Sequence, residues 1–153
     1  MSTRSEILVK CSFGEVKLYH HHDGYIEGVG FDLFQRFFGS KDEWFNRKNF
    51  EGKPMSVHPD DIVNELVKDE KDEYEITLCK HTDIEFFYEI DVDARTLTGW
   101  QAHYDYDKED KSFLKKGKKY SLEDIKKLYY GYNQTKDIET GAVQVVQGSY
   151  PFS

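Results

Sequence analysis

The residues most able to do chemistry lie in one short stretch, "LYHHHDGYIEGVG", which runs from position 18 to position 30. It contains three consecutive histidines, an Asp-Gly pair and two further glycines. Histidine changes charge near neutral pH, so it can serve as an acid, a base, a phosphate donor or a metal ligand. A ligand site in this stretch would be formed by His20, His21, His22, Asp23, Tyr25 and Glu27.

Metal binding by the three histidines is limited by strand geometry. Adjacent residues of a strand point to opposite faces, so His20 and His22 share one face and His21 points to the other. A zinc or iron site would need those two joined by Asp23 or by a more distant group. The distant candidates are Glu85, Glu89 and His103. Short histidine tracts are weak compositional signals, so we predict neither a metal nor a cofactor.

The glycines allow two interpretations of the same stretch. "GYIEGVG" is similar to a phosphate-cradling loop before a helix, where backbone N–H groups and the helix dipole favour an anion. It lacks both the G-x-G-x-x-G order and the lysine of a P-loop. In the alternative, it is a strand-to-helix turn, with Asp23 accepting backbone hydrogen bonds and Gly24 supplying a positive φ. We favour the turn and keep a nucleotide or anion site as the alternative.

No other pattern in the chain indicates a reaction. There is no G-x-S-x-G, and Cys11 and Cys79 are distant and lack C-x-x-C spacing. A row of carboxylates in one strand would need crowding or burial before it became catalytic, and a solvated face is the favoured interpretation. We predict that this row and two tryptophans bind a partner, through Glu89, Asp91, Asp93, Trp44 and Trp100.

Composition indicates a single acidic domain over residues 1–153. The net charge is −8, which disfavours direct binding to nucleic acid and favours a basic protein partner. No apolar run approaches ~18 residues and the first ten residues are polar, which predicts a cytoplasmic protein without membrane contact. Two segments are predicted to be irregular: an exposed, mobile loop over 105–119 and an extended tail over 141–153.

Local patterns predict the elements that must position these residues. Runs at 6–12 and 15–21 flank Phe13-Gly14 and predict a hairpin. From residue 73 the apolar period becomes two, and three runs predict a three-stranded meander. Helical patterns occupy 31–38 and begin again near Pro59 and Ser121. The predicted fold is α+β, a single antiparallel sheet of hairpin plus meander with about three helices packed on it.

The histidine stretch resembles the signature of a group of small phage, prophage and bacterial proteins, Tyr-Arg-His-Trp-Asp-Gly-Tyr-Pro-Glu-Gly. Seven positions match: Tyr19, His21, Asp23, Gly24, Tyr25, Glu27 and Gly28. The exceptions are His20 for arginine, His22 for tryptophan and Ile26 for proline. The run "DIEFFYEID" is similar to the Asp-x-Glu-Tyr-x-Tyr-x-Ile strand of the same group. The resemblance covers about half of the chain.

The resemblance implies a mobile-element setting and carries no established reaction. We therefore expect a small acidic binding protein, with an inhibitor of a bacterial defence protein, acting by protein contact in the host cytoplasm, as the concrete version. The alternative is a protein that sequesters a nucleotide or anion, or a metal-dependent hydrolase, centred on residues 20–25. Histidine replaces the arginine of the signature and can supply a positive charge there only when protonated.

Overall fold

The structure, a computed structural model, describes residues 3–39, 44–79, 81, 83–102 and 117–139, the last seven as backbone only. Three α-helices are present, α1 to α3, at Phe31–Phe37, Pro59–Val67 and Leu122–Glu139. Six strands, β1 to β6, lie at Ser5–Cys11, Gly14–His20, Tyr74–Ile76, Phe86–Asp91, Thr96–Gln101 and Lys119–Tyr120. A π-helical turn at Ile26–Gly30 leads directly into α1, and the α+β class is confirmed.

The strands form one mixed sheet in the order β3-β2-β1-β4-β5-β6. The predicted hairpin is confirmed, since β1 and β2 pair antiparallel across Cys11 and Gly14. The prediction of a purely antiparallel sheet with a meander was wrong, because β4 lies between β1 and β5 and runs parallel to β1. The crossover that parallel pairing requires is supplied by the chain from α1 through β3.

The burial of their side chains explains why β4 lies in the centre of the sheet and β3 lies at its border. In β4 the adjacent residues Phe87 and Tyr88 are both buried, so this strand needs cover on both faces. In β3 Tyr74 is buried, whereas Glu75 and Ile76 are exposed. Among the described strands, β3 pairs with Leu18–His20 of β2 alone, so this largely exposed strand lies at the border of the sheet.

The main core lies between one face of the sheet and all three helices. That face carries alternate residues of each strand, among them Ile7, Val9, Leu18, Tyr88, Ile90 and Leu97. The opposite face carries a smaller cluster of Tyr19, Ile84, Phe87 and Trp100. An apolar period of two through "DIEFFYEID" would place Ile84 on the same face as Tyr88, but Ile84 lies on the opposite face because β4 begins only at Phe86.

The helix boundaries follow local signals in the sequence. Pro59 opens α2, and the His58 ring accepts a hydrogen bond from the Asp60 N–H at 3.2 Å. Ser121 and Asp124 form the predicted reciprocal capping pair before α3, with bonds of 3.0 and 3.1 Å. The predicted loop over 105–119 lies mostly outside the described residues, although its last residue begins β6, and the tail over 141–153 lies wholly outside them.

Candidate functional site

The Asp-Gly-Tyr part of the histidine stretch is bound to the sheet through its backbone. The Gly24 N–H donates to the Thr3 carbonyl at 2.9 Å, just before β1. The Gly24 carbonyl accepts from the buried Tyr88 hydroxyl at 2.6 Å, in the middle of β4. The Val29 N–H donates to the Asp23 carbonyl at 2.8 Å and closes the turn on itself. The turn therefore connects β2, β1, β4 and α1.

Close packing explains why two glycines occupy this turn. A Cβ atom on Gly28 would lie 2.0 Å from the Asp23 carbonyl oxygen, and one on Gly24 would lie 2.8 Å from the Ser5 Cβ. The prediction that Gly24 supplies a positive φ was wrong, because Asp23 adopts it, with a φ of 53° that aspartate tolerates better than most residues. The Asp23 side chain accepts from the Tyr25 hydroxyl at 3.0 Å. The spacing of the motif is therefore a packing requirement.

The N–H groups that would cradle an anion already donate within the turn. Gly28 donates to the Tyr25 carbonyl at 3.0 Å, Gly30 donates to the same oxygen at 3.5 Å, and Val29 is bonded to Asp23. Glu27 is exposed beside them and adds a negative charge. The described geometry supports the interpretation as a strand-to-helix turn and gives no support to the anion-binding loop.

The three histidines lie in different environments. His20 is buried on the helix-covered face, and its Nδ1 and Nε2 atoms contact the carbonyl oxygens of His22 and Asp72, the latter at 2.8 Å. His21 is exposed on the opposite face, edge-on to the Tyr19 ring at 4.7 Å. His22 is exposed and lies beyond β2, which ends at His20, so the predicted shared strand face of His20 and His22 is not present. Within the described residues, no three or more His, Cys, Asp or Glu side chains are grouped closely enough to hold a metal ion.

Each ring nitrogen of His20 contacts a backbone carbonyl oxygen of the protein itself, on His22 and on Asp72. These contacts explain the presence of His20 without a bound anion.

A polar cluster next to His20 escaped sequence reasoning. Arg36 of α1 donates to Asp32 and to Asp72, both at 2.9 Å, and the Tyr74 hydroxyl donates to Asp32 at 2.7 Å. Burial alone would lower the pKa of Arg36, but the two carboxylates outweigh it and raise that pKa. Three hydrogen bonds link these four side chains, so the cluster connects α1 to β3. The i, i+4 spacing of Asp32 and Arg36 was its only sequence signal.

We expect the protein to lose stability in alkali because of two buried tyrosines. Burial raises the pKa of Tyr74 and of Tyr88 well above the usual value. In the unfolded chain the tyrosine phenols ionise near pH 10. The folded state is therefore fully stable below that pH, and its free energy of unfolding falls as the pH rises towards the raised pKa values of the two phenols. Urea unfolding at about pH 8, 10 and 11 should show a falling free energy of unfolding. A flat profile across this range would contradict the burial of both phenols.

We expect Ser5→Ala to leave stability unchanged or to raise it by up to about 1 kcal/mol. The Ser5 hydroxyl is fully buried beside Gly24 and has no hydrogen-bond partner among the described residues, so its removal relieves a desolvation penalty. The matched control is the exposed Ser12→Ala, which should have no effect. Thermal unfolding of both variants is the measurement, and a lower melting temperature for Ser5→Ala would reveal a bonded hydroxyl.

The predicted carboxylate row is partly assembled. Glu89 and Asp91 share the helix-free face, where Lys10 lies 2.8 Å and 3.9 Å from them. Glu89, followed by Asp91, raises the pKa of Lys10. Asp93 lies beyond the strand, and its carboxylate accepts from the Ser12 N–H at 2.6 Å. The row is therefore partly neutralised, and Asp93 has a structural role at the turn.

The two tryptophans of the predicted partner surface are engaged in packing and lie apart. Trp44 packs edge-on against Phe37 at 5.5 Å, with the Arg47 guanidinium 5.0 Å from its ring centroid. Trp100 is buried beside Phe87 on the helix-free face. Trp100 shares the helix-free face with Glu89 and Asp91, whereas Trp44 packs against α1. Binding by this set stays a prediction, and the structure does not bring Trp44 to the surface that carries the others.

An exposed apolar edge is a second feature that sequence reasoning missed. Ile76 ends β3 with 56% of its surface exposed, and Leu78 follows it with 97% exposed. They border an open groove of about 470 Å³ whose other apolar walls are Leu8 and Val16. The run "EYEITLCK" predicted a long strand that would pair these residues, but pairing ends at Ile76. We call the surface formed by Glu15, Val16, Ile76 and Leu78 the apolar edge.

Comparison with known proteins assigns no family to this fold. No family model, no curated protein and no solved structure matches the chain. Within the described residues, no helix has the length and apolar character needed to cross a membrane. Functional interpretation therefore depends on the geometry of the described residues and on the motif at Tyr19–Gly28.

Proposed function

We propose that the protein is a noncatalytic binding protein that acts by contact with another protein. The observation that carries this proposal is the apolar edge. Two large aliphatic side chains, Ile76 and Leu78, stand in solvent beside an open groove at the border of a sheet. Contiguous apolar surface of this kind is typical of protein-binding sites, and unprotected sheet edges readily pair with other chains.

Charge supports a basic partner. The chain carries a net charge of −8, and a complementary partner would be steered to it and held in register. Glu15 and Glu75 lie along the apolar edge, and neither forms an ion pair within the described residues. Lys17 is the basic residue nearest to them in β2, and it is already paired with the buried Glu6 at 3.8 Å.

The biological setting is proposed from the resemblance of the motif. An inhibitor of a bacterial defence protein, acting in the host cytoplasm, is the concrete version of this proposal. The described turn fits a binding protein, since its motif residues form hydrogen bonds and close contacts inside the fold and leave the apolar edge to contact a partner. The alternative of a ligand site at residues 20–25 gains no specific support from the described contacts.

Capture of a partner from bacterial lysate tests the proposal. The immobilised protein should retain a host protein in a fixed molar ratio, and Leu78→Asp should remove it because a charge would enter the apolar contact. The matched control is Phe50→Asp, which changes an equally exposed apolar residue in the 44–57 segment and should retain the partner. Loss of capture in both variants, or native mass spectrometry showing a stoichiometric small-molecule adduct, would contradict the proposal.

A further inference from the structure

The outer border of β2 is only half covered by β3. Pairing with β3 extends over Leu18–His20, and the Thr77 N–H then donates to the Lys17 carbonyl at 2.9 Å. Beyond this bond the chain leaves the sheet, whereas β2 continues back to Gly14. A stretch of about three residues of β2 therefore has β1 on one side and no strand on the other within the described residues.

Strand alternation identifies the backbone groups that face outward in this stretch. In an antiparallel strand, every second residue directs both its N–H and its C=O to the same side. The bond from Thr77 shows that Lys17 directs its carbonyl away from β1, so Glu15 directs its N–H and C=O the same way. No bond from the described residues to these two groups is present. Glu15 thus offers one donor and one acceptor to an added strand.

The groove lies next to these two backbone groups. Val16 follows Glu15 in the strand, and Ile76, Leu78 and Leu8 complete its apolar walls. A peptide strand that bonded to Glu15 would place alternate side chains into the groove, since successive side chains point to opposite faces. The groove of about 470 Å³ is large enough for aliphatic side chains of such a strand.

Charge distinguishes between the two kinds of strand that could be added. A second copy of this chain would bring its own Glu15 and Glu75 to the same border, and like charges on paired strands are destabilising. Lys10 of β1 lies opposite Glu15, which helps to raise the pKa of that lysine, but no basic group of the described residues lies within ion-pair distance of Glu15 or Glu75. A strand carrying lysine or arginine would therefore meet both carboxylates. The border therefore favours a basic strand from a different protein.

We propose that the apolar edge binds an extended peptide segment with alternating aliphatic and basic residues, which adds to the sheet as a strand beside Glu15. This inference rests on the proposed protein-binding function and specifies the partner's chemistry and its mode of binding. Main-chain hydrogen bonds supply part of the affinity, and the aliphatic side chains in the groove supply selectivity.

The test is a titration of the isotopically labelled full chain with an acetylated, amidated heptapeptide of alternating lysine and valine, followed by amide NMR. We expect shifts concentrated at residues 14–17 and 76–78. Glu15→Pro removes the outward N–H and no ladder bond, and should weaken binding by about tenfold or more. Glu15→Ala keeps the N–H and removes the charge, and should weaken binding by less. Leu78→Asp is the second variant, should Glu15→Pro fail to fold.

Each other outcome overturns the inference in an identifiable way. Equal binding to wild type and Glu15→Pro, equal binding of a glutamate-valine heptapeptide, or no shifts at about 1 mM peptide would exclude addition of a basic strand. Self-association that Glu15→Pro abolishes would identify a second copy as the occupant. A lysate partner that Glu15→Pro retains and Leu78→Asp loses would leave the proposed function intact and reject the strand-addition mode.

Discussion

Gly28→Ala is expected to prevent stable folding or to destabilise the protein by more than about 4 kcal/mol. A methyl group at this position would lie 2.0 Å from the Asp23 carbonyl oxygen, which is itself bonded to the Val29 N–H. The obstacle is backbone, so no side-chain rotation can relieve the overlap. The turn would have to open, and Gly24 would lose its position against Thr3 and Tyr88.

The matched control for this substitution is Gly131→Ala. Gly131 lies within α3, and a methyl group there would meet no atom within 4 Å. Alanine favours a helix over glycine by about 1 kcal/mol, so the control should be neutral or slightly stabilising. Far-UV circular dichroism and urea unfolding of both variants provide the comparison. Wild-type stability in Gly28→Ala would show that the turn does not have the described geometry.

Tyr88→Ala is expected to destabilise the protein by about 3–5 kcal/mol, and Tyr88→Phe by about 1–3 kcal/mol. The Tyr88 ring is fully buried in the core, and its hydroxyl donates to the Gly24 carbonyl at 2.6 Å. Alanine would leave a cavity beneath the turn. Phenylalanine would retain the packing but leave a buried carbonyl without its donor, which is the smaller loss.

The Tyr88 pair of variants separates packing from hydrogen bonding. Tyr120→Phe is the control for removal of a phenolic hydroxyl, since the Tyr120 hydroxyl makes no hydrogen bond among the described residues, and it should change stability little. Urea unfolding at neutral pH measures all three variants. In alkali, Tyr88→Phe should also reduce the pH dependence, because it removes one of the two phenols whose pKa burial raises well above the usual value. Equal stability of Tyr88→Phe and wild type would show that the hydrogen bond to the Gly24 carbonyl does not stabilise the fold.

Local signals in the sequence predicted the local structure well. The hairpin predicted around Phe13-Gly14 is present, with its turn one residue earlier at Ser12-Phe13. Pro59 determined the start of α2, and Ser121 with Asp124 determined the start of α3. Each of these features depends on residues within four positions of one another. Their hydrogen bonds form in any context that permits a helix or a hairpin, so sequence alone was sufficient.

The arrangement of the sheet depends on contacts between distant residues, and it could not be predicted in this way. The central position of β4 beside β1 is favoured because both faces of β4 are buried. The helices bury one face and the smaller cluster buries the other, and both contain residues distant from β4 in the sequence. The same limit applies to Arg36, whose second carboxylate, Asp72, is 36 residues away. The early end of β3 likewise exposes Leu78, which periodicity alone would have placed in a strand.

The histidine stretch was partly understood from its residue types. Asp23 and Gly24 predicted a turn, and a turn is present, but the reason for Gly28 appears only in the 2.0 Å approach to Asp23. His20 was a candidate ligand because of its chemistry, yet both of its ring nitrogens contact carbonyl oxygens inside the protein. A motif of reactive residue types can therefore be maintained by packing, and the binding surface can lie elsewhere.

The central claim is that the turn at residues 20–28 is scaffold and that the apolar edge contacts the partner. Hydrogen–deuterium exchange of the full chain, alone and in complex with the protein captured from lysate, tests it most directly. We predict that the partner slows exchange at residues 14–17 and 76–78 and leaves residues 22–28 unchanged. Slower exchange centred on residues 20–28, with the apolar edge unaffected, would contradict the claim and would identify the histidine stretch as the binding site.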